Sequence, residues 1–334
     1  MKIRLFEIEE WEREPFADLA EAHDLEFHQE KLDADNAARH ADTEVLSVFI
    51  YSELSADTLR EMPGLRLIAT RSTGFDHIDL DYARENDITV CNVPAYGDNT
   101  VAEHVFALLL ALSHRLVEAV DRTRRGDFGP QGLTGFDLQG RTLGVIGTGR
   151  IGRHTASIAR GFGMDVLGYD LQPDEEAARR IGFRYVDLDG LLRACDVVSL
   201  HVPGNDDTRH LISEREFGLM PDGAVLINTA RGTVVHIQSL LRALADGKLA
   251  GAGLDVLPEE PTIVEEAELL RRVYRREHDL STLLANHILL HMNNVVITPH
   301  SAFNTKEAVR QILTVTRENI LGYLEGSPRN PVAG

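Results

Sequence analysis

An arginine, a carboxyl group and a histidine stand in this sequence where they could share one reaction. The arginine is Arg231, in Asn228-Thr229-Ala230-Arg231-Gly232. The carboxyl group is Glu259 or Glu260, after Gly253-Leu254-Asp255-Val256 and just before Pro261. The histidine is His300, in Thr298-Pro299-His300-Ser301-Ala302-Phe303. Arg231 can hold a carboxylate and polarise a neighbouring carbonyl, because its planar fork offers two donors and keeps its charge. His300 can give or take a proton near neutral pH. A carboxylate beside it would favour the imidazolium, raise the histidine pKa and fix the ring. Taken singly, each has a plainer reading: a surface ion pair, a solvated loop histidine, a charged turn. Their joint occurrence, each at the C-terminal end of a predicted strand, sets them on the edge of an open α/β sheet where ligands bind.

Such a trio needs a hydride source, and the sequence holds one upstream. Gly144-Val145-Ile146-Gly147-Thr148-Gly149-Arg150-Ile151-Gly152 reads as strand, glycine turn and helix, and Gly168-Tyr169-Asp170 ends the next strand in an acid. Gly147 allows the tight turn, Gly149 admits a pyrophosphate to the backbone, and Gly152 lets the helix pack on the sheet. The helix start turns free N–H groups and its positive dipole end toward phosphates. Asp170 can bond the ribose hydroxyls and would repel a 2′-phosphate; no arginine follows closely, so NAD is expected over NADP. A nicotinamide supplies the hydride. Together these parts suit reduction of a 2-keto acid to a 2-hydroxy acid.

The elements that must position these residues follow from apolar patterning. Strands are expected at 2–7, 25–27, 45–50, 65–69 and 89–93, with helical stretches such as 15–22 and 56–62, giving one α/β unit with a parallel sheet. A second begins at Leu143, with strands at 142–146, 165–169, 183–185, 197–200, 224–228, 252–255 and 295–298. The expected fold is two Rossmann-like or flavodoxin-like parallel-sheet domains with a cleft between them. Residues 1–99 and 302–334 form a discontinuous substrate domain and 100–301 the NAD domain. One long helix is expected over 100–125, capped by Asn99 or Thr100; its core, 105–112, is apolar nearly all round, which predicts a homodimer interface. A last amphipathic helix is expected over 306–325.

At 334 residues the chain suits two domains, and 43% hydrophobic content is ample for their cores. A formal charge of −19 argues against nucleic acid or an anionic membrane as partner, because a phosphate polymer would be repelled. Cys91 and Cys195 sit in apolar runs and read as buried free thiols. With no apolar signal core and no membrane-length run, a cytoplasmic location is expected. His287 and His291 stand four apart on a probable helix face, but lack an accompanying acid or cysteine set, so no metal is expected there.

These motifs resemble those of the D-isomer-specific 2-hydroxyacid dehydrogenase family, and within it the D-lactate dehydrogenase-like branch, over nearly the whole chain. The resemblance implies that Arg231, Glu260 and His300 are catalytic and that the product has the D configuration. It implies NAD contacts at Gly147, Gly149, Arg150, Ile151, Gly152 and Asp170. Further contacts are implied at Val202, Pro203, Thr208, Thr229, Ala230 and Asp255. Ser72-Thr73-Gly74-Phe75-Asp76 is similar to the family's substrate loop, where main-chain N–H groups bind the substrate carboxylate. Tyr96 and Phe303 match aromatics that lactate-type members place near the substrate, and with Phe75 would form a small apolar wall. The expected partner is a small 2-keto or 2-hydroxy acid such as pyruvate.

One region departs from the family pattern. Residues 262–293 intervene before the final strand, with a charged, helix-like stretch at 265–278, and whether Glu259 or Glu260 faces His300 stays open. Two other readings share these motifs. One is a dehydrogenase for a bulkier or phosphorylated acid, but no basic cluster lies near Thr73 or Phe303. The other is an NAD(H)-sensing, corepressor-like binding protein, which typically carries long disordered tails, whereas this chain ends soon after its last helix.

Overall fold

A strand buried on both faces needs an unbroken apolar run. Residues Ala224–Ile227 supply one, and every position from Ala224 to Asn228 is buried in the computed structural model, which describes residues 1–258 and 280–332. The chain divides into two compact units, Met1–Gly97 with Asn304–Gly334, and Asp98–Phe303.

The first unit is built on five parallel strands: β1 (Lys2–Leu5), β2 (Asp24–Phe27), β3 (Val45–Val48), β4 (Leu67–Thr70) and β5 (Thr89–Cys91), in the order β2-β1-β3-β4-β5. This is the flavodoxin-like order. Helices α1 (Ala56–Arg60) and α2 (Leu80–Glu85) are held at their starts by Ser55 and Asp79, whose side chains accept from the N–H groups of Thr58 and Tyr82. The stretch expected as helix over 15–22 forms 3-10 turns at Glu14–Glu21 instead. The C-terminal helix Lys306–Leu324 packs on β4, burying Ile312, Leu313 and Ile320. Its buried Asn319 donates to the Asn92 carbonyl at 2.8 Å, tying that helix to the end of β5.

The second unit carries seven parallel strands: β6 (Thr142–Ile146), β7 (Asp165–Tyr169), β8 (Arg184–Tyr185), β9 (Val197–Leu200), β10 (Ala224–Asn228), β11 (Leu249–Leu254) and β12 (Val295–Ile297). Their order is β12-β11-β10-β9-β6-β7-β8. The chain runs outward from β6 through β7 to β8, then returns to lay β9 on the other flank of β6. The order therefore reverses at β6, and a ligand crevice belongs at the carboxyl ends of β6 and β9. This is the Rossmann arrangement extended by one strand.

The single helix expected over 100–125 is two helices, α3 (Asp98–Ser113) and α4 (Leu116–Arg124), bent by 62°. Helix α3 starts at Asp98, ahead of the expected caps Asn99 and Thr100. The break lies at Arg115, whose φ of 49° is left-handed, a conformation that ends a run of α-helical hydrogen bonds. The apolar girth of α3 is largely covered: Val105, Phe106, Leu108 and Leu109 are buried in the core of its own unit, and Val101 and Ala102 are buried as well. Strand β11 makes room for it, since a Cβ at Gly253 would stand 2.9 Å from that of Leu108. The exposed apolar surface is on α4 instead, at Leu116, Val117 and Val120. No single helix among the described residues is long and apolar enough to cross a membrane.

Helices α5 (Arg150–Gly161), α6 (Glu175–Ile181), α7 (Leu188–Ala194), α8 (Glu214–Leu219) and α9 (Ile237–Ala245) link the strands, and α10 (Leu280–Leu290) packs on α9. Helix α10 falls within the expected insertion; the stretch at 265–278 lies outside the described residues.

Candidate active site

The glycine turn comes first because it is the most constrained. Gly147 leaves β6 at φ +91°, and a Cβ there would meet the His201 carbonyl oxygen at 2.6 Å. Gly152 sits in the first turn of α5, where a Cβ would lie 2.0 Å from the Gly147 carbonyl oxygen, so only glycine lets the helix reach its own turn. Gly149 caps α5, and nothing stands within 4 Å of where its Cβ would be. Beside it, Arg150 donates to Asp98 at 2.7 Å, joining the turn to the start of α3. Ile151 follows, partly buried.

Asp170, at the end of β7, is already committed to this turn. Its Oδ2 accepts from the Thr148 N–H at 2.7 Å and the Thr148 hydroxyl at 3.0 Å, and its Oδ1 accepts from the Gln172 N–H at 2.9 Å. A carboxylate offers about four lone-pair sites, so room for ribose hydroxyls remains. Beyond β9, Val202 is partly buried and Pro203 exposed. The Thr208 hydroxyl closes that loop by donating to the Pro203 carbonyl at 2.6 Å. Burial pushes His201 down to about 3, so its ring is neutral, with Nε2 against the Ser199 hydroxyl at 2.8 Å.

After β10, the Asn228 side chain folds the next residues into a fixed shape. Its oxygen accepts from the Ala230 N–H at 3.0 Å and its amide donates to the Arg231 carbonyl at 3.0 Å. Arg231 donates to the Ala230 carbonyl at 2.8 Å, and its stem lies over Gly204, where a Cβ would come within 2.8 Å of the Arg231 Cγ. The Thr229 hydroxyl oxygen between them is buried with no hydrogen-bond partner among the described residues. An orphaned buried hydroxyl, an open-faced glycine at a helix start and an acid at the next strand end are together what a dinucleotide requires.

The His300 turn hangs on Asp255. That residue is 1% exposed at the end of β11. Its carboxylate accepts from the Thr298 hydroxyl at 2.5 Å and from the N–H groups of Ser301 and Ala302, both at 2.9 Å. Thr298 has one hydroxyl proton and spends it on Asp255, so its contact with His104 Nε2 at 2.9 Å requires the histidine to donate. Burial works to raise the Asp255 carboxyl, but bonds from His104, Thr298, Ala302 and Ser301 together hold it below the ordinary value. His300 itself takes a left-handed φ of 49°, and its N–H is bonded to the Asp255 carbonyl at 2.9 Å. Strands β10, β11 and β12 are neighbours, so Arg231, Asp255 and His300 leave three adjacent strand ends of one sheet. Phe303 closes the segment, partly buried. Glu259 and Glu260 lie outside the described residues.

The remaining expected residues belong to the first unit. Thr73 is exposed, and its hydroxyl donates to the Val93 carbonyl at 2.7 Å. The Ser72 hydroxyl donates to the Gly74 carbonyl at 2.6 Å, which shapes the loop. Phe75 packs against that unit's core, and Tyr96 is partly buried.

Two supporting residues escaped the sequence reading. His104 lies mid-helix in α3 with nothing local to mark it. Arg71 is wholly buried at the root of the 72–76 loop, donating to the Phe6 and Glu7 carbonyls at 2.6 and 2.7 Å and to Ser47 at 3.1 Å; burial pulls it down to about 10. A sequence cannot distinguish such an arginine from a surface one.

His287 lies in α10 and His291 just past its end, and His291 Nδ1 contacts the His287 carbonyl at 2.8 Å.

Comparison with known proteins shows the family. A family model described as "D-isomer specific 2-hydroxyacid dehydrogenase, NAD binding domain" matches residues 106–302. A 2-hydroxyacid dehydrogenase homolog from Schizosaccharomyces pombe is 36% identical over 332 residues, covering 97% of this chain and 96% of that protein. The D-lactate dehydrogenase of Aquifex aeolicus, solved with NAD and lactic acid, is 37% identical with a TM-score of 0.83, over 97% of this chain and 96% of that one. The apo-structure of Escherichia coli D-lactate dehydrogenase gives a TM-score of 0.84 at 33% identity, over 100% of both chains. Matched across more than half its length by the family model, and along nearly all of it by these relatives, the chain belongs to the D-isomer specific 2-hydroxyacid dehydrogenase family and carries its NAD binding domain.

Proposed function

We propose that this NAD-dependent D-2-hydroxyacid dehydrogenase interconverts a small 2-keto acid, such as pyruvate, and the corresponding D-2-hydroxy acid. The observation that carries the reading is the Asp255 clamp, which fixes the turn of His300 on the sheet edge that also bears Arg231. Arg231 would hold the substrate carboxylate and polarise the adjacent carbonyl, which a fixed planar cation does without proton traffic. His300 would protonate the carbonyl oxygen on reduction and take the proton back on oxidation. Glu260, or its neighbour Glu259, would favour the protonated imidazole. Bound NADH supplies the hydride. Asp170 would hold the adenine ribose, and the orphaned hydroxyl of Thr229 supports a cofactor contact there. Thr73, Gly74, Phe75, Tyr96 and Phe303 are assigned to the substrate.

Relatives named for lactate support the small acid, as do the aromatic positions 75, 96 and 303. Two buried free thiols, Cys91 and Cys195, support a cytoplasmic location. The exposed apolar residues of α4 support a homodimer. The deciding experiment measures NADH oxidation over a panel of 2-keto acids, from glyoxylate to phenylpyruvate, for the wild type and His300→Asn. Turnover of pyruvate-sized acids should fall by about 10²–10⁴-fold in the variant while NADH still binds. Undiminished turnover would remove His300 as the proton donor, and no oxidation of any acid would favour a binding protein.

A further inference from the structure

The first unit brings together two imidazoles and a carboxylate that the reaction does not use. His28, Glu30 and His40 each offer a ligand atom, and these atoms lie within 4.8 Å of one another. We propose that they form a binding site for one borderline transition-metal dication, Zn²⁺ in the first instance.

The local chain is built to hold the two rings. Beyond β2 the chain bends at residues 29 and 30 and is pinned by backbone hydrogen bonds: His28 donates to the Leu5 carbonyl at 2.8 Å, while Ile8 and Glu7 donate to the carbonyls of His28 and Glu30 at 3.1 and 3.0 Å. His40 arrives separately, from the 3-10 turn Ala37–His40. Phe6, fully buried, orients both imidazoles. It stacks on His28 at 4.5 Å and meets His40 edge-on at 4.8 Å, and the two imidazoles stand 4.7 Å apart.

Aromatic packing alone would explain three rings, but two observations go beyond it. The first is that a carboxylate joins the rings. The second is that His28 Nε2 is buried and makes no hydrogen bond among the described residues, its one close charged contact there being with the Glu26 carboxylate at 3.4 Å. A buried ring nitrogen normally has a partner. The neighbouring cation, Arg4, is already paired with Asp24 and Glu26.

Ligand chemistry narrows the ion. Two imidazoles and one carboxylate suit Zn²⁺ and leave its fourth position for water, whereas Mg²⁺ and Ca²⁺ take oxygen ligands. Tetrahedral Zn²⁺ needs ligand atoms roughly 3.3 Å apart. Glu30 is exposed, so rotation of its side chain can close the remaining distance.

The test uses full-length, tag-free protein stripped with EDTA and titrated with ZnCl₂ by calorimetry, with MgCl₂ in parallel. One Zn²⁺ per chain is expected, with a rise in melting temperature and no response to Mg²⁺. His28→Gln with His40→Asn should abolish both effects, and Glu30→Gln should weaken binding at least tenfold. A cooperative melt without metal checks that each variant is folded; if the double variant is not, Glu30→Gln alone decides, because its side chain is exposed. Equal Zn²⁺ uptake by the wild type and the folded variants would mean adventitious surface binding and overturn the proposal. So would no uptake by the wild type, or equal affinity for Mg²⁺.

Discussion

Asp255 does its work through the groups it restrains. Both of its oxygens are spent inside the protein, on a threonine hydroxyl and two backbone N–H groups of the turn that carries His300. Beside the cofactor contact that the family resemblance implies for it, Asp255 therefore acts as a positioning residue. Asp255→Asn keeps the shape but turns an amide toward donors that need an acceptor. The variant should lose about 2–3 kcal/mol of stability, a charged hydrogen-bonding site being left partly unpaired, and should lower kcat. The sign of its pH dependence follows from the depressed carboxyl value. The stabilisation is complete above the unfolded value of about 3.9 and is lost as pH falls through the lower folded value. Urea midpoints should thus separate wild type from variant by a constant amount between about pH 5 and 8, and converge only in stronger acid. A gap that opened only above neutrality would contradict this account.

The glycine turn shows the same logic in an element. Gly152→Ala would drive a methyl group into the Gly147 carbonyl, 2.0 Å away. The helix cannot retreat without leaving the turn, so a cost of about 1–3 kcal/mol is expected from overpacking, with a clear loss of NADH affinity by fluorescence titration. Unchanged affinity would show that the helix start does not serve the cofactor. This element was fully legible in the sequence, and for a physical reason. Strands β6, β7, β9 and β10 have buried centres whose ends are marked by glycine or polar residues, so the expected spans 142–146, 165–169, 197–200 and 224–228 match to the residue. The break between α3 and α4 was not legible, because Arg115 takes its left-handed conformation without a glycine or proline to announce it. Arg231, His300 and Asp170 could be nominated because each ends a recognisable strand. His104 and Arg71 could not, since their importance lies in partners distant along the chain.

For the whole molecule, the broken helix moves the argument for association from α3 to α4. Leu116 is 53% exposed and Val117 51%. Apolar side chains of this kind on a highly charged protein call for a cover, and a second copy of α4 is the proposed one. Replacing Val117 by Asp should shift the sedimentation profile from dimer toward monomer while the melt stays cooperative. If the profile does not move, the association face lies elsewhere.

The unsatisfied hydroxyl of Thr229 implies a trade between endurance and purpose. Valine has nearly the same outline and carries no oxygen needing a mate. Thr229→Val should therefore leave the ligand-free protein as heat-resistant as before, or more so, since an unpaired buried polar atom costs about 1–3 kcal/mol. Adding NADH should protect this variant less than it protects the parent. The sturdier molecule at rest would then be the poorer one at work, and the two melting curves, recorded with and without nucleotide, would exchange places.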